Sequence, residues 1–228
     1  MGRPTSNSAS PEDAPGLVAH RSSDAPTDLD ALLAEVCACR VCAGQLPNTP
    51  KPVLRAAVGA RLLIVGQAPG RRVQASGIPW DDPSGDRLRD WLGMDRGDFY
   101  DVGRIAIIPT GLCYPGTGRG GDLPPRPECA PLWHPRLRAA LPGLRLTLLI
   151  GGYAQAYYLG ARCGPTLAAT VAAYAEHLPA WFPLPHPSPR NRLWFSRHPW
   201  FEAEVIPSLR RQVALALGDG GSRAGGSG

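Results

Sequence analysis

Four short apolar runs punctuate the chain, each closing on glycine or proline: ARLLIVG near 60–66, RIAIIPT near 104–110, LRLTLLIGG near 144–152 and WFPLPHPS near 181–188. Continuous apolar runs of this length, bounded by turn residues, predict strands buried on both faces. Between them lie segments with apolar residues at helical spacing. In SGDRLRDWLGM at 84–94, Ser84 is placed to cap a helix whose Leu88, Trp91 and Leu92 share one face. ECAPLWHPRLRAAL, YAQAYYLG and TLAATVAAYAEHL read the same way. Strands alternating with helices predict an α/β fold in three layers, α/β/α, around a central four-stranded parallel sheet. Such sheets bind ligands at the carboxyl ends of their strands, which puts GQAPG, PTGLC and HPSPRN along one rim.

The chain has 228 residues, 43% of them hydrophobic, enough for one sizeable core. Residues 1–27 are rich in Ser, Pro, Ala and Asp without apolar periodicity and are expected to be disordered. Residues 216–228, ending in GGSRAGGSG, read as a flexible tail, leaving a single domain over 28–215. No apolar stretch approaches the roughly 20 residues that span a bilayer, and the N-terminus lacks the hydrophobic centre of a secretory signal. The expected compartment is therefore the cytoplasm, with no membrane partner. A net charge of +5 suits a polyanionic partner without requiring one.

Six cysteines in a reducing compartment are metal ligands or buried thiols rather than a disulfide framework. Cys39 and Cys42 are two residues apart in CRVC, and fifteen residues separate Cys113 from Cys129. Two such pairs can close a four-thiolate site for zinc or an iron–sulfur cluster. The wide second pair departs from the zinc-ribbon spacing, and four ordinary buried cysteines are the alternative. Cys37 and Cys163 fall outside the pattern and read as unliganded packing residues.

Taken in order, GQAPG, GIPW and HPSPRN together with the four spaced cysteines resemble the uracil-DNA glycosylase superfamily, and within it the family 4 iron–sulfur type. The resemblance covers roughly residues 30–212. GIPW, RDWLG and HPSPRN are also similar to the single-strand-selective monofunctional type, which carries no cluster. The resemblance implies a monomer that flips uracil out of single- or double-stranded DNA and hydrolyses the N-glycosidic bond, leaving an abasic site for base excision repair. It also implies a 4Fe-4S cluster on Cys39, Cys42, Cys113 and Cys129, with zinc as the alternative.

Site roles follow from the same resemblance. His186 would hydrogen-bond the departing uracil oxygen. Gly66, Ala68, Pro69 and Gly70 would bring backbone close to the base, and Trp80 would stack on it where the family has Phe. Ser188, Arg190 and Asn191 would contact phosphates. Two positions depart from the family. Gln67 stands where the family has an acidic residue, and an amide cannot take a proton from water. DDPSGD supplies Asp81, Asp82 and Asp86 close to the pocket, and of these Asp81, beside Trp80, is the carboxylate expected to position that water in its place. The family's base-reading Asn is absent from IPTGLC, leaving Thr110 as the candidate reader. The only lysine, Lys51, lies in a linker, so no lyase step is expected. Two other readings remain: a uracil or abasic-site damage sensor with little turnover, and a zinc or iron–sulfur α/β protein with a nucleotide or RNA ligand.

Overall fold

A computed structural model describes residues 29–219. In chain order the elements are α1 (Leu29–Cys37), β1 (Leu62–Val65), α2 (Arg71–Ser76), α3 (Pro83–Leu92), α4 (Arg96–Phe99), β2 (Ile105–Ile107), β3 (Thr117–Gly118) and β4 (Gly121–Asp122). They continue with α5 (Cys129–Ala139), β5 (Leu146–Ile150), α6 (Gly152–Leu159), α7 (Leu167–Ala172), β6 (Trp181–Leu184), α8 (Arg192–Arg197) and α9 (Ile206–Leu217). Each apolar run holds one strand of the main sheet, whose order is β2-β1-β5-β6 with every pairing parallel. The three-layer α/β/α architecture is thus as the sequence predicts.

Period-2 alternation divides the strand residues between two cores. Leu62, Ile64, Ile105, Ile107, Leu148 and Phe182 pack with α3 and α9 on one face. Leu63, Val65, Ala106 and Leu149 pack with α1, α5 and α6 on the other. Pro183 lies on the edge strand β6. The bonds joining β6 to β5 use the carbonyls of Ala180 and Leu184, so the missing N–H of Pro183 falls on the open side. Because the chain leaves β1 toward β2 and β5 toward β6, the connections diverge between β1 and β5, and the rim above that point is where such sheets bind ligands.

Three local expectations change. Asp82, not Ser84, caps α3: its Oδ1 accepts from Gly85 N at 2.9 Å while Pro83 takes the first helical position. Proline suits that position because its missing N–H has no partner there in any helix. The single helix expected over 166–178 is α7 followed by a tight 3₁₀ turn, Tyr174–His177. Ala216 and Leu217, expected in the tail, end α9 with their side chains in the core, and residues 220–228 lie outside the described residues. The stretch 1–27 lies outside the described residues. No described helix is long and apolar enough to cross a membrane.

Ile64 sits at the centre of the sheet, opposite Ile107 and Leu148 and fully buried. Ile64→Ala is expected to lower stability by about 2–5 kcal/mol, measured as a fall in urea midpoint at unchanged slope. An unchanged midpoint would contradict this packing.

Candidate active site

At the carboxyl ends of the strands a pocket of about 50 Å³ is walled by the loop 66–70 after β1, by Trp80 and Asp82, by Pro109 after β2 and by His186 after β6. Gln67, Ala68, Gly70, Asp82 and His186 also face a groove of about 510 Å³ that continues to Asp122, Ser188, Arg190 and Asn191. The fold therefore gathers Gly66, Gln67, Ala68, Pro69, Gly70, Trp80, His186, Ser188, Arg190 and Asn191 at one place. Asp81 and Thr110 are not among the lining residues.

His186 is held in one protonation form. Its Nδ1 accepts from Ser188 N at 3.1 Å, which leaves the proton on Nε2 as a donor. Asn191 Nδ2 donates to the His186 carbonyl at 2.8 Å and fixes the loop that carries the ring. Burial pushes the imidazole pKa below its usual value, partly opposed by the charges of Asp82 and Asp122. The side chain is thus a neutral hydrogen-bond donor at neutral pH.

Trp80 adopts a left-handed backbone, φ +60°, a conformation that costs a bulky residue about 1–3 kcal/mol. Three contacts hold it there. Tyr100 Oη donates to Pro79 O at 2.7 Å, Arg89 donates to Trp80 O at 3.4 Å, and α3 approaches through Gly85, where a Cβ would stand 1.7 Å from Trp80 O. The indole lies over Gly66, where a Cβ would be 2.8 Å from the ring, and its centroid is 5.5 Å from that of His186. The turn aims Asp82 at the pocket and Asp81 away from it, into an ion pair with Arg96 at 2.8 Å. Thr110 is buried and spends its hydroxyl on Gly66 O at 2.7 Å, so the pocket wall is Pro109 instead.

Of the three carboxylates of DDPSGD, it is Asp82 rather than the favoured Asp81 that lines the pocket, at the helix start that an Asp directly before Pro marks. One carboxylate was missed from sequence. Asp122 comes from the β3–β4 hairpin, whose glycine-rich two-residue strands have no alternating pattern.

A backbone strut joins the pocket to the cysteines. Thr110 N donates to Gly66 O at 2.9 Å and Gly111 N to Gln67 O at 2.8 Å, while the next amide, Leu112 N, donates to Cys129 Sγ at 3.3 Å. Cys39, Cys42, Cys113 and Cys129 line one small cavity with Leu46, Leu112 and Trp133, and a backbone N–H from Lys51 reaches Cys113. Burial pushes the Cys113 and Cys129 thiols up to about 11 and about 12. In such surroundings thiolates need a cation beside them. Among the described residues, no three His, Cys, Asp or Glu side chains converge closely enough to hold a single metal ion. Cys37 and Cys163 do not line the cavity. Cys163 packs on the second core, whereas Cys37 is exposed rather than packed.

Charge is uneven around the rim. Arg71, Arg72, Arg119, Arg190, Arg192 and Arg197 flank the groove in sequence and form no ion pair among the described residues. Arg89, Arg96, Arg104, Arg126 and Arg136 are each paired with a carboxylate, and the other described arginines are not. Beside them on α8, Leu193 is 70% exposed.

The pocket wall has its own support in His134, which is 1% exposed. Its Nε2–H donates to Pro109 O at 3.1 Å and its Nδ1 accepts from Tyr158 Oη at 2.6 Å. Burial pushes its pKa down to about 4 from the 6.5 of a free side chain. Above pH 6.5 neither state binds this proton. Between 6.5 and 4 only the unfolded chain does, so stability falls as pH falls, by about 3 kcal/mol from this group. Urea midpoints from pH 7.5 to 4.5 should fall more steeply for the wild type than for His134→Gln. Equal slopes would rule this out.

The family model described as the Uracil DNA glycosylase superfamily matches residues 54–210. That span contains the loop 66–70, Trp80, Asp82, Pro109 and His186 of the pocket together with Cys113 and Cys129, and leaves Cys39 and Cys42 outside. With over two thirds of its length matched and its pocket at the sheet's carboxyl rim, the chain belongs to the uracil DNA glycosylase superfamily, whose members are hydrolases of N-glycosyl bonds.

Proposed function

We propose that this protein is a monofunctional uracil-DNA glycosylase of the iron–sulfur type. The observation that carries the reading is His186, a neutral imidazole with its Nε2 proton presented to a pocket that Trp80 walls on one side. An extruded uracil stacks on the indole. As the C1′–N1 bond breaks, its electron pair leaves on the base, and His186 stabilises the developing charge on uracil O2. Asp82, whose Oδ1 is anchored on Gly85 N, sets a negative charge beside the sugar cation. Gln67 is the side-chain amide within reach of the base, since Pro109 offers no donor.

The unpaired arginines suit a phosphate backbone, and exposed Leu193 suits the gap a flipped base leaves in the stack. The duplex is thus gripped by charge and opened by an apolar wedge. Four cysteines line one cavity, with N–H groups reaching Cys113 and Cys129, and such a four-thiolate donor set would suit an iron–sulfur cluster. Held by these four cysteines, a cluster would supply the positive charge that keeps the thiols ionised beside the strut 110–112. Lys51 Nζ is occupied by Gln74 O and Ala75 O at 3.0 and 3.1 Å, so among the described residues no lysine amine is placed to attack the sugar.

The test is base release from uracil-containing single-stranded and duplex oligonucleotides. Wild type should release uracil without nicking the strand, and His186→Ala should be slower by about 100-fold or more, the scale of losing one oxyanion donor. Tight binding with no release would mark a damage sensor instead. The purified protein should be brown and contain iron, and Cys113→Ser should lose both. A colourless protein that contains zinc would overturn the cluster.

A further inference from the structure

The β3–β4 hairpin, within the gap between Cys113 and Cys129, is clasped by both loops of the pocket. Gln67 Nε2 donates to Leu123 O at 3.5 Å. A Cβ at Gly70 would stand 3.2 Å from Asp122 Oδ2, and one at Gly121 would stand 2.2 Å from Arg190 Nη1. The hairpin therefore touches the first loop at residues 67 and 70 and the second at Arg190. From this position Asp122 lines the groove with Asp82 and His186. Its charge reaches the imidazole.

The nature of residue 67 bears on this docking. An amide offers the N–H that the Leu123 carbonyl needs. A carboxylate there would face that carbonyl with lone pairs on both sides and would stand near the charge of Asp122. An acid at 67 thus works against a docked hairpin carboxylate, while the contacts at Gly70 and Arg190 do not depend on residue 67. The absence of an acid in the first loop and the presence of one on the hairpin are two sides of one arrangement.

We propose that Asp122 is a catalytic residue, the carboxylate that orients the attacking water and takes its proton, and that Gln67 is a positioning residue that docks the hairpin to bring it there. The inference rests on the glycosylase reading above. Asp82 has one oxygen committed to the α3 cap, whereas the carboxylate of Asp122, whose backbone pairs in the hairpin, forms no hydrogen bond or ion pair among the described residues. The step balances: the water oxygen bonds C1′ as the C1′–N1 bond breaks, the bond pair leaves on uracil, and the water proton passes to the carboxylate. That proton then returns through solvent to the uracil anion.

Single-turnover base release and uracil-duplex affinity should be compared for wild type, Asp122→Asn, Gln67→Glu and the double variant, with urea midpoints confirming that each is folded. Asp122→Asn should slow release by about 100-fold, the lower range for a proton-transfer group, at unchanged affinity. Gln67→Glu in the wild-type background should also slow release, because it works against the docked hairpin. In the Asp122→Asn background the same change should speed release, since it returns a carboxylate to the groove. A merely structural hairpin would show no such reversal. Release by Asp122→Asn within about threefold of wild type, or a double variant no faster than Asp122→Asn, overturns the proposal while leaving the glycosylase reading intact. No release by wild type from any uracil substrate overturns that reading, and this one with it.

Discussion

Gly66 and Gln67 leave the end of β1 with carbonyls that no helix or strand satisfies, and the strut after β2 takes both. Thr110 bonds Gly66 O twice, through its amide and its hydroxyl, and Gly111 bonds Gln67 O. Buried carbonyls left unpaired would each cost about 1–3 kcal/mol, so these bonds set where the pocket loop runs. Because the next amide of the strut donates to Cys129, the same few residues also set where the cysteine cavity lies. Pocket and cysteines are thus two ends of one rigid piece of backbone. This accounts for Thr110 acting as scaffold rather than as a reader of the base.

A second constraint acts from the other side of the pocket. The left-handed backbone at Trp80 is unfavourable locally and persists because Tyr100, Arg89 and the close approach of Gly85 leave it no other place. Arg89 is itself buried and pairs with Asp86 on the same helix, so the turn is braced from α3. The indole lies against Gly66 and His186 before any substrate arrives. Preorganisation of this kind spends folding free energy so that little reorganisation is left for the binding step.

Electrostatics divide the site by depth. At the bottom, His186 stays neutral because burial outweighs two nearby carboxylates. Toward the groove, Arg190 and its sequence neighbours Arg192 and Arg197 form no ion pair among the described residues. The inner part suits a base that leaves as an anion from a sugar that becomes cationic, and the outer part suits a phosphate backbone.

Local pattern carried most of the architecture. Four apolar runs closed by glycine or proline were enough for the parallel sheet, because a strand buried on both faces has no other way to be written. The motif loops followed, since each directly succeeds a strand and so reaches the carboxyl rim. The thiols were legible as a set from spacing, and their cavity agrees with that grouping. Tertiary structure alone decided which carboxylates face the pocket. Asp81 and Asp82 are adjacent, and only the cap on α3 and the ion pair to Arg96 turn one inward and the other outward. Thr110 and Pro109 exchanged roles for the same kind of reason, a buried carbonyl 44 residues away that had to be satisfied. Asp122 left no local trace, because a two-residue strand is held by its neighbours across space. Sequence order specifies what a segment can become, whereas the direction of a single side chain depends on partners that only folding brings within reach.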